Sequence, residues 1–270
     1  MIIDVWSQLI PVGENGGLAR YRPDLKGKEI TAELLVETMD RNGIQQILIT
    51  GLNILEQKYN TDLLAANEKV AEAMEKYPDR FIGAYHIDST ETIMKNVEKL
   101  EYYVKTWQFK AIRIEPFMLR KNPDDKYFYP FYAKACELDI AVQLQVGNTA
   151  NKYYPMETGR PVYVDRVAMD FPDLRIICGH IGWPWTQEMI AVAWRHPNVY
   201  IDTSAHTPKH FPGEFVHFLK TFGQNKSLFA SDWPLLPYER LFKEGEEYLQ
   251  LSEDVARKFY WENAKKALKI

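Results

Sequence analysis

The chain has 270 residues, 46% of them hydrophobic and 26% charged, a size and balance that fit one α/β barrel or two smaller domains around a large core. Its 33 basic and 37 acidic residues give a net charge of −4, which excludes a broad basic surface for nucleic acid. Two cysteines, Cys136 in a helical pattern and Cys178 in a strand pattern, exclude a disulfide framework and a Cys-based zinc site, and no apolar run reaches membrane-spanning length.

The N-terminus enters the apolar run 2–6 directly, without the basic, apolar and cleavage-site series of a secretion signal, as expected of a cytoplasmic protein. Short runs rich in β-branched or aromatic residues then recur at 46–50, 81–86, 111–115, 140–145, 174–179, 199–202 and 227–231, the pattern of buried parallel strands. Amphipathic stretches lie between them. One spans 31–41, with Thr31 as N-cap and a stop at Gly43; others cover 60–76 and 90–107. The last, 252–268, opens on a Ser cap and acidic residues and turns basic, in line with a helix dipole. Two polar segments, 13–24 and 148–160, read as long loops over the ends of the strands.

Eight strands alternating with helices predict a closed barrel or an open doubly wound sheet. No Gly-x-Gly-x-x-Gly follows a strand, and no phosphate-cradling Gly-x-x-x-x-Gly-Lys run occurs, so the barrel is favoured. With no linker or repeat, residues 1–270 read as a single (β/α)8 TIM-barrel domain.

In such a barrel the carboxyl ends of the strands build the site. They carry Trp6 and Gln8, Asn53, His86 and Asp88, Arg113 and Glu115, Gln143 and Gln145, His180, Asp202 and Ser204, and Asp232. His180 can bind a divalent metal, act as a base, or serve as a hydrogen-bonded rim residue. Asp232 can bind metal, take a proton from water, or cap a turn before Trp233-Pro234. Arg113 and Glu115 alternate with Ile112 and Ile114 and share a face. Pairing with each other is the preferred reading; the other is that Arg113 holds a substrate carboxylate. His86 stands alone at its strand end. His206 is within reach of the mouth, whereas His196, His210 and His217 belong to turns and helices.

Several segments together resemble the amidohydrolase-related family, in the branch of aminocarboxymuconate-semialdehyde decarboxylase. They are Met1-Ile2-Ile3-Asp4, Gln145-Val146-Gly147, Gly179-His180-Ile181-Gly182-Trp183-Pro184-Trp185, Val199-Tyr200-Ile201-Asp202-Thr203-Ser204, Phe229-Ala230-Ser231-Asp232-Trp233-Pro234 and Trp261-Glu262-Asn263-Ala264. The resemblance implies a (β/α)8 barrel of the metal-dependent-hydrolase type that hydrolyses C–N or C–O bonds, or decarboxylates or hydrates carboxylic acids. It makes His180 and Asp232 the metal ligands after strands six and eight. Trp6 and Gln8 stand in place of the His-x-His of strand one, and Gln145 in place of the strand-five His, a divergent pattern. Trp cannot ligate a metal and Gln offers only a neutral amide oxygen. The implied site is therefore a weak one for zinc or an oxygen-preferring metal.

The expected activity is hydrolysis of a small carboxylated or cyclic molecule, with Asp232 as general base and His180 as the orienting or electrostatic group. Trp6, Gln8, His86, Arg113, Gln145, Asn148 and Trp183 are the expected substrate contacts. Decarboxylation of an aromatic or unsaturated acid is the alternative, and a non-catalytic ligand-binding or engineered barrel is the third. The expected partners are a small-molecule substrate and a second copy of the chain, with no nucleic acid and no membrane.

Overall fold

Alternation along the strands, small apolar residues facing in and larger ones facing out, decides the architecture. The computed structural model describes residues 1–9, 22–25, 28–56, 61–149 and 152–270. Its strands are β1 (Ile3–Leu9), β2 (Gln46–Glu56), β3 (Thr61–Ala65), β4 (Phe81–His86), β5 (Ala111–Ile114), β6 (Ala141–Leu144), β7 (Ile176–Cys178), β8 (Val199–Asp202) and β9 (Ser227–Leu228). All but β3 form one parallel series in chain order, β1-β2-β4-β5-β6-β7-β8-β9. The series curls back on itself: Val5 N–H donates to Phe229 O (3.1 Å), Asp232 N–H to Trp6 O (2.9 Å) and Gln8 N–H to Trp233 O (3.2 Å). Eight parallel strands thus make the predicted barrel, with helices between them.

Because β9 has only two residues, side chains reinforce the closing seam. The buried Asp4 carboxylate accepts from Trp6 N–H (3.0 Å) and Ser231 N–H (3.1 Å), and from the hydroxyls of Ser231 and Tyr238 (2.5 Å each).

Two apolar layers flank the sheet. The inner one includes Val5, Leu48, Ala84, Ala111, Ala141, Ile177 and Ala230 and is joined by Ala264, Ala267 and Leu268 of the C-terminal helix. Four alanines pointing inward leave volume in the barrel, which Trp6 and Arg113 fill; both are wholly or almost wholly buried. The outer layer packs the sheet against the helices through residues such as Leu35, Val97, Phe131 and Val167.

The helix Ala32–Asn42 starts and stops as its sequence predicts: Thr31 Oγ1 accepts from Leu34 N–H (3.2 Å), and Gly43 takes the left-handed conformation, φ 67°. Ser252 caps the last helical stretch through Val255 N–H (3.4 Å), but this stretch is broken by a π-helical turn at 258–262. One expected helix is corrected. Residues 61–65 of the predicted 60–76 helix form β3, paired antiparallel with the extension of β2 (Leu52↔Ala65, Glu56↔Thr61), and the helix is Asn67–Lys76. An apolar run this short satisfies strand and helix periodicity alike, and the unpaired edge of β2 decides. Most of the predicted 13–24 loop, and residue 60, lie outside the described residues. The 148–160 segment contains a short 3-10 turn, Met156–Gly159. Among the described residues no helix is long and apolar enough to cross a membrane.

Candidate functional site

A cavity of about 560 Å³ opens at the carboxyl ends of the strands, and the described residues of its wall include Gln145, Asn148, His180, Trp183, His206 and Asp232. His180 follows β7 and Asp232 follows β9, so two distant segments bring an imidazole and a carboxylate to one hollow. Both have left-handed backbones, φ 62° and 59°, and Ile181 follows at φ 56°. Such conformations cost non-glycine residues about 1–3 kcal/mol each and cluster at functional sites.

The ring of His180 is set by a relay. Its Nδ1 lies 2.6 Å from Ser204 Oγ, and the Ser204 hydroxyl donates to Asp202 Oδ1 at 2.5 Å. Ser204 Oγ also accepts from His180 N–H at 3.2 Å. With its one proton directed to the Asp202 carboxylate, Ser204 Oγ is left to accept, so Nδ1 is the protonated nitrogen and Nε2 carries the lone pair. Burial, then the neighbouring His206 and Arg113, lowers the His180 pKa to about 3, and the ring stays neutral near pH 7. Asp202 is wholly buried; its pKa is raised to about 7 by burial, against hydrogen bonds from Ser204 and His180, and its Oδ2 has no partner among the described residues.

Asp232 is half-buried at the cavity. Desolvation raises its pKa to about 7, offset by the charge of Arg113 and by Gln8, whose Nε2 donates to Oδ1 at 3.4 Å. Its side chain makes no helix cap; the turn after it is held by its backbone carbonyl, which accepts from Leu235 N–H (2.8 Å).

Gln145, Asn148 and Trp183 line the cavity as expected, and Gln8 reaches it through Asp232. Trp6, His86 and Arg113 are not among its described wall residues. Trp6 is 1% exposed, and its ring packs against both His180 (centroids 5.1 Å apart) and the Arg113 guanidinium (4.1 Å). A Cβ at Gly179 would come within 3.0 Å of that indole, which explains the glycine before His180.

The preferred Arg113–Glu115 pair is corrected. Arg113 donates to Thr50 Oγ1 (2.8 Å), Ser7 O (3.1 Å) and Gln143 Oε1 (3.2 Å), whereas Glu115 faces His86 Nε2 at 3.4 Å. The two residues share a face but stand at different depths, and Arg113 is level with His86 and Gln143 of the neighbouring strands. His86 is further taken up by Ile87 O (2.9 Å at Nδ1) and by Asn67, which clamps its backbone. Two other arginines, Arg22 and Arg240, sit in the cavity wall: Arg22 is bidentate to Asp24 (2.9 and 2.8 Å) and donates to Pro234 O (2.8 Å), and Arg240 Nε donates to Glu244 (2.7 Å). Sequence reasoning missed these two, since neither ends a strand, and it gave Ser204 no role; His206, expected within reach of the mouth, does line the cavity.

Residues 43–270 match the amidohydrolase family model. The chain belongs to the amidohydrolase family. A 2-keto-4-carboxy-3-hexenedioate hydratase from a Sphingobium species is 27% identical over 202 residues, covering 62% of this chain; the match spans 57% of the length of that curated relative. Among solved structures, an uncharacterised TIM-barrel protein from Bordetella bronchiseptica is 25% identical over 99% of both chains, with a TM-score of 0.79. A 5-carboxyvanillate decarboxylase from Novosphingobium aromaticivorans, complexed with manganese, has a TM-score of 0.73 at 16% identity, covering 100% of this chain and 96% of that one.

The donors present here do not fit a divalent ion. Among the described residues, no three His, Cys, Asp or Glu side chains converge on a point. Beside His180 and Asp232 stand an indole and the Gln8 amide, whose nitrogen points to the carboxylate. One imidazole and one carboxylate hold zinc or manganese poorly.

Proposed function

We propose that this amidohydrolase-family barrel activates water for attack on a small carboxylated, cyclic substrate, and that hydrolysis of a lactone or ester is the reaction. The observation that carries the reading is the convergence of Asp232 and His180 on one cavity, with the carboxyl poised near neutrality. Asp232 takes a proton from water; the hydroxide forms a bond to the acyl carbon, whose carbonyl becomes a tetrahedral oxyanion. When that intermediate collapses, the C–O bond breaks and the proton on Asp232 passes to the departing alkoxide. The lone pair on His180 Nε2 accepts from the same water and orients it, so this histidine acts as an acceptor and not as an oxyanion donor. The side-chain amides of Gln145 and Asn148 supply N–H groups to the oxyanion, while Arg22 and Arg240 hold the substrate carboxylate at the mouth.

Hydration of an unsaturated acid is the second reading, favoured by the hydratase among the relatives, and it uses the same activated water. Decarboxylation needs an electron sink, which the donor set here does not provide by way of a metal. The reading takes residues 1–270 as one domain working in the cytoplasm as a homodimer, without nucleic acid.

The test is a panel of carboxylated lactones, unsaturated acids and hydroxybenzoates, assayed with and without chelator. Lactone turnover that survives EDTA and collapses in Asp232→Asn is the expected result. Turnover abolished by EDTA rejects the metal-free mechanism, and full activity in Asp232→Asn rejects the base.

A further inference from the structure

One buried cation stands among the barrel's acids, in surroundings unlike those of a structural ion pair. Among the described residues every hydrogen-bond acceptor of Arg113 is neutral: the Thr50 hydroxyl, the Gln143 amide oxygen and the Ser7 carbonyl. Its Nη2 has no partner among the described residues. The acids around it, Glu115, Asp232, Asp202 and Asp4, act on it through space, not by contact. Its guanidinium lies on the Trp6 indole, and His180 packs on the same indole. The indole has its room because Gly179 has no side chain; a Cβ there would lie 3.0 Å from it. A guanidinium kept only for stability would be expected to contact one of the four carboxylates, because an unpaired buried charge is destabilising.

We infer that the Arg113 guanidinium is the site's resident cation: a fixed positive charge, screened from the cavity by Trp6, that balances Asp232 and draws an anion inward, as a bound metal would, while repelling any divalent ion from the His180–Asp232 position. The inference rests on the metal-free reading of the site above. Arg113 is a positioning residue, since it acts through Trp6 and Asp232 and touches no substrate. Low-dielectric surroundings make its field felt over a distance at which water would screen it.

Manganese titration tests this without any substrate. After dialysis against MnCl2, the wild-type chain is expected to retain far less than one equivalent of Mn2+ by elemental analysis. Gln8→His/Gln145→His supplies two further ligands at half-buried positions and leaves Trp6 in place. Adding Arg113→Met to that pair is expected to tighten Mn2+ binding at least tenfold by calorimetry, with folding checked by melting. If Arg113→Met unfolds the barrel, Arg113→Gln, which is neutral and keeps donors for Thr50 and Ser7, takes its place. Equal Mn2+ affinity with and without the arginine would overturn the role of Arg113 while leaving metal-free water activation intact. One tightly held equivalent in the wild-type chain would overturn both.

Discussion

Asp232 carries a measurable conflict between stability and reaction. Its pKa, 3.8 in an unperturbed chain, is raised to about 7 in the fold by desolvation. Between those values the folded state holds the extra proton, so folding stability falls as pH rises from about 4 to about 7 and stays lower above. Asp232→Asn removes that dependence: its melting temperature should exceed the parent's at pH 8, and the gap should shrink at pH 4. Turnover of the parent should climb with pH to a plateau above about 7, because only the carboxylate accepts a proton, and Asp232→Asn should lower kcat about 10²–10⁴-fold. His180, already neutral above about pH 3, should add no inflection near 6.5 to a pH–rate profile. Ser204→Ala takes away the acceptor that fixes the imidazole, and kcat should drop about 10–100-fold with KM little changed, the usual scale for partners that orient a working histidine. Little of this relay was legible in the sequence. His180 and Asp232 stood out as polar strand ends; that Ser204 lies between His180 and Asp202 depends on how two neighbouring strands are staggered, which no local pattern encodes.

Between elements, stagger also explains the misread arginine. The alternation Arg113-Ile114-Glu115 reveals a shared face. Depth is fixed by pairing Arg113 with His86 on one side and Gln143 on the other, and this sinks the guanidinium below the cavity. The eight parallel strands followed from periodicity because each buried strand has its own apolar run, whereas the choice of a barrel over an open sheet came from the missing dinucleotide and phosphate motifs and from the family resemblance. The β2–β3 hairpin escaped because its residues read equally well as a helical turn. Gly179→Ala drives a methyl group to 3.0 Å from Trp6 and should cost about 1–3 kcal/mol in urea unfolding, as overpacked cores do. Asp4→Ala strips the acceptor from two hydroxyls and two N–H groups at the β1–β9 seam. A loss of about 3 kcal/mol or more should appear as a lower urea midpoint, with aromatic circular dichroism reporting the loosened seam.

For the molecule as a whole, the donor set makes chelator a clean probe. EDTA should leave both the melting temperature and the turnover of the purified protein unchanged, and a loss of turnover would reject metal-free water activation. The seam has a further consequence for how the protein is made. Asp4 leaves the ribosome well before its partners Ser231 and Tyr238, which are translated more than two hundred residues later. Throughout synthesis the leading strand has an open flank and a carboxylate without its hydroxyl donors. The ring shuts only once the final strand has emerged, and until then the nascent chain exposes a sticky edge of the kind that chaperones shield.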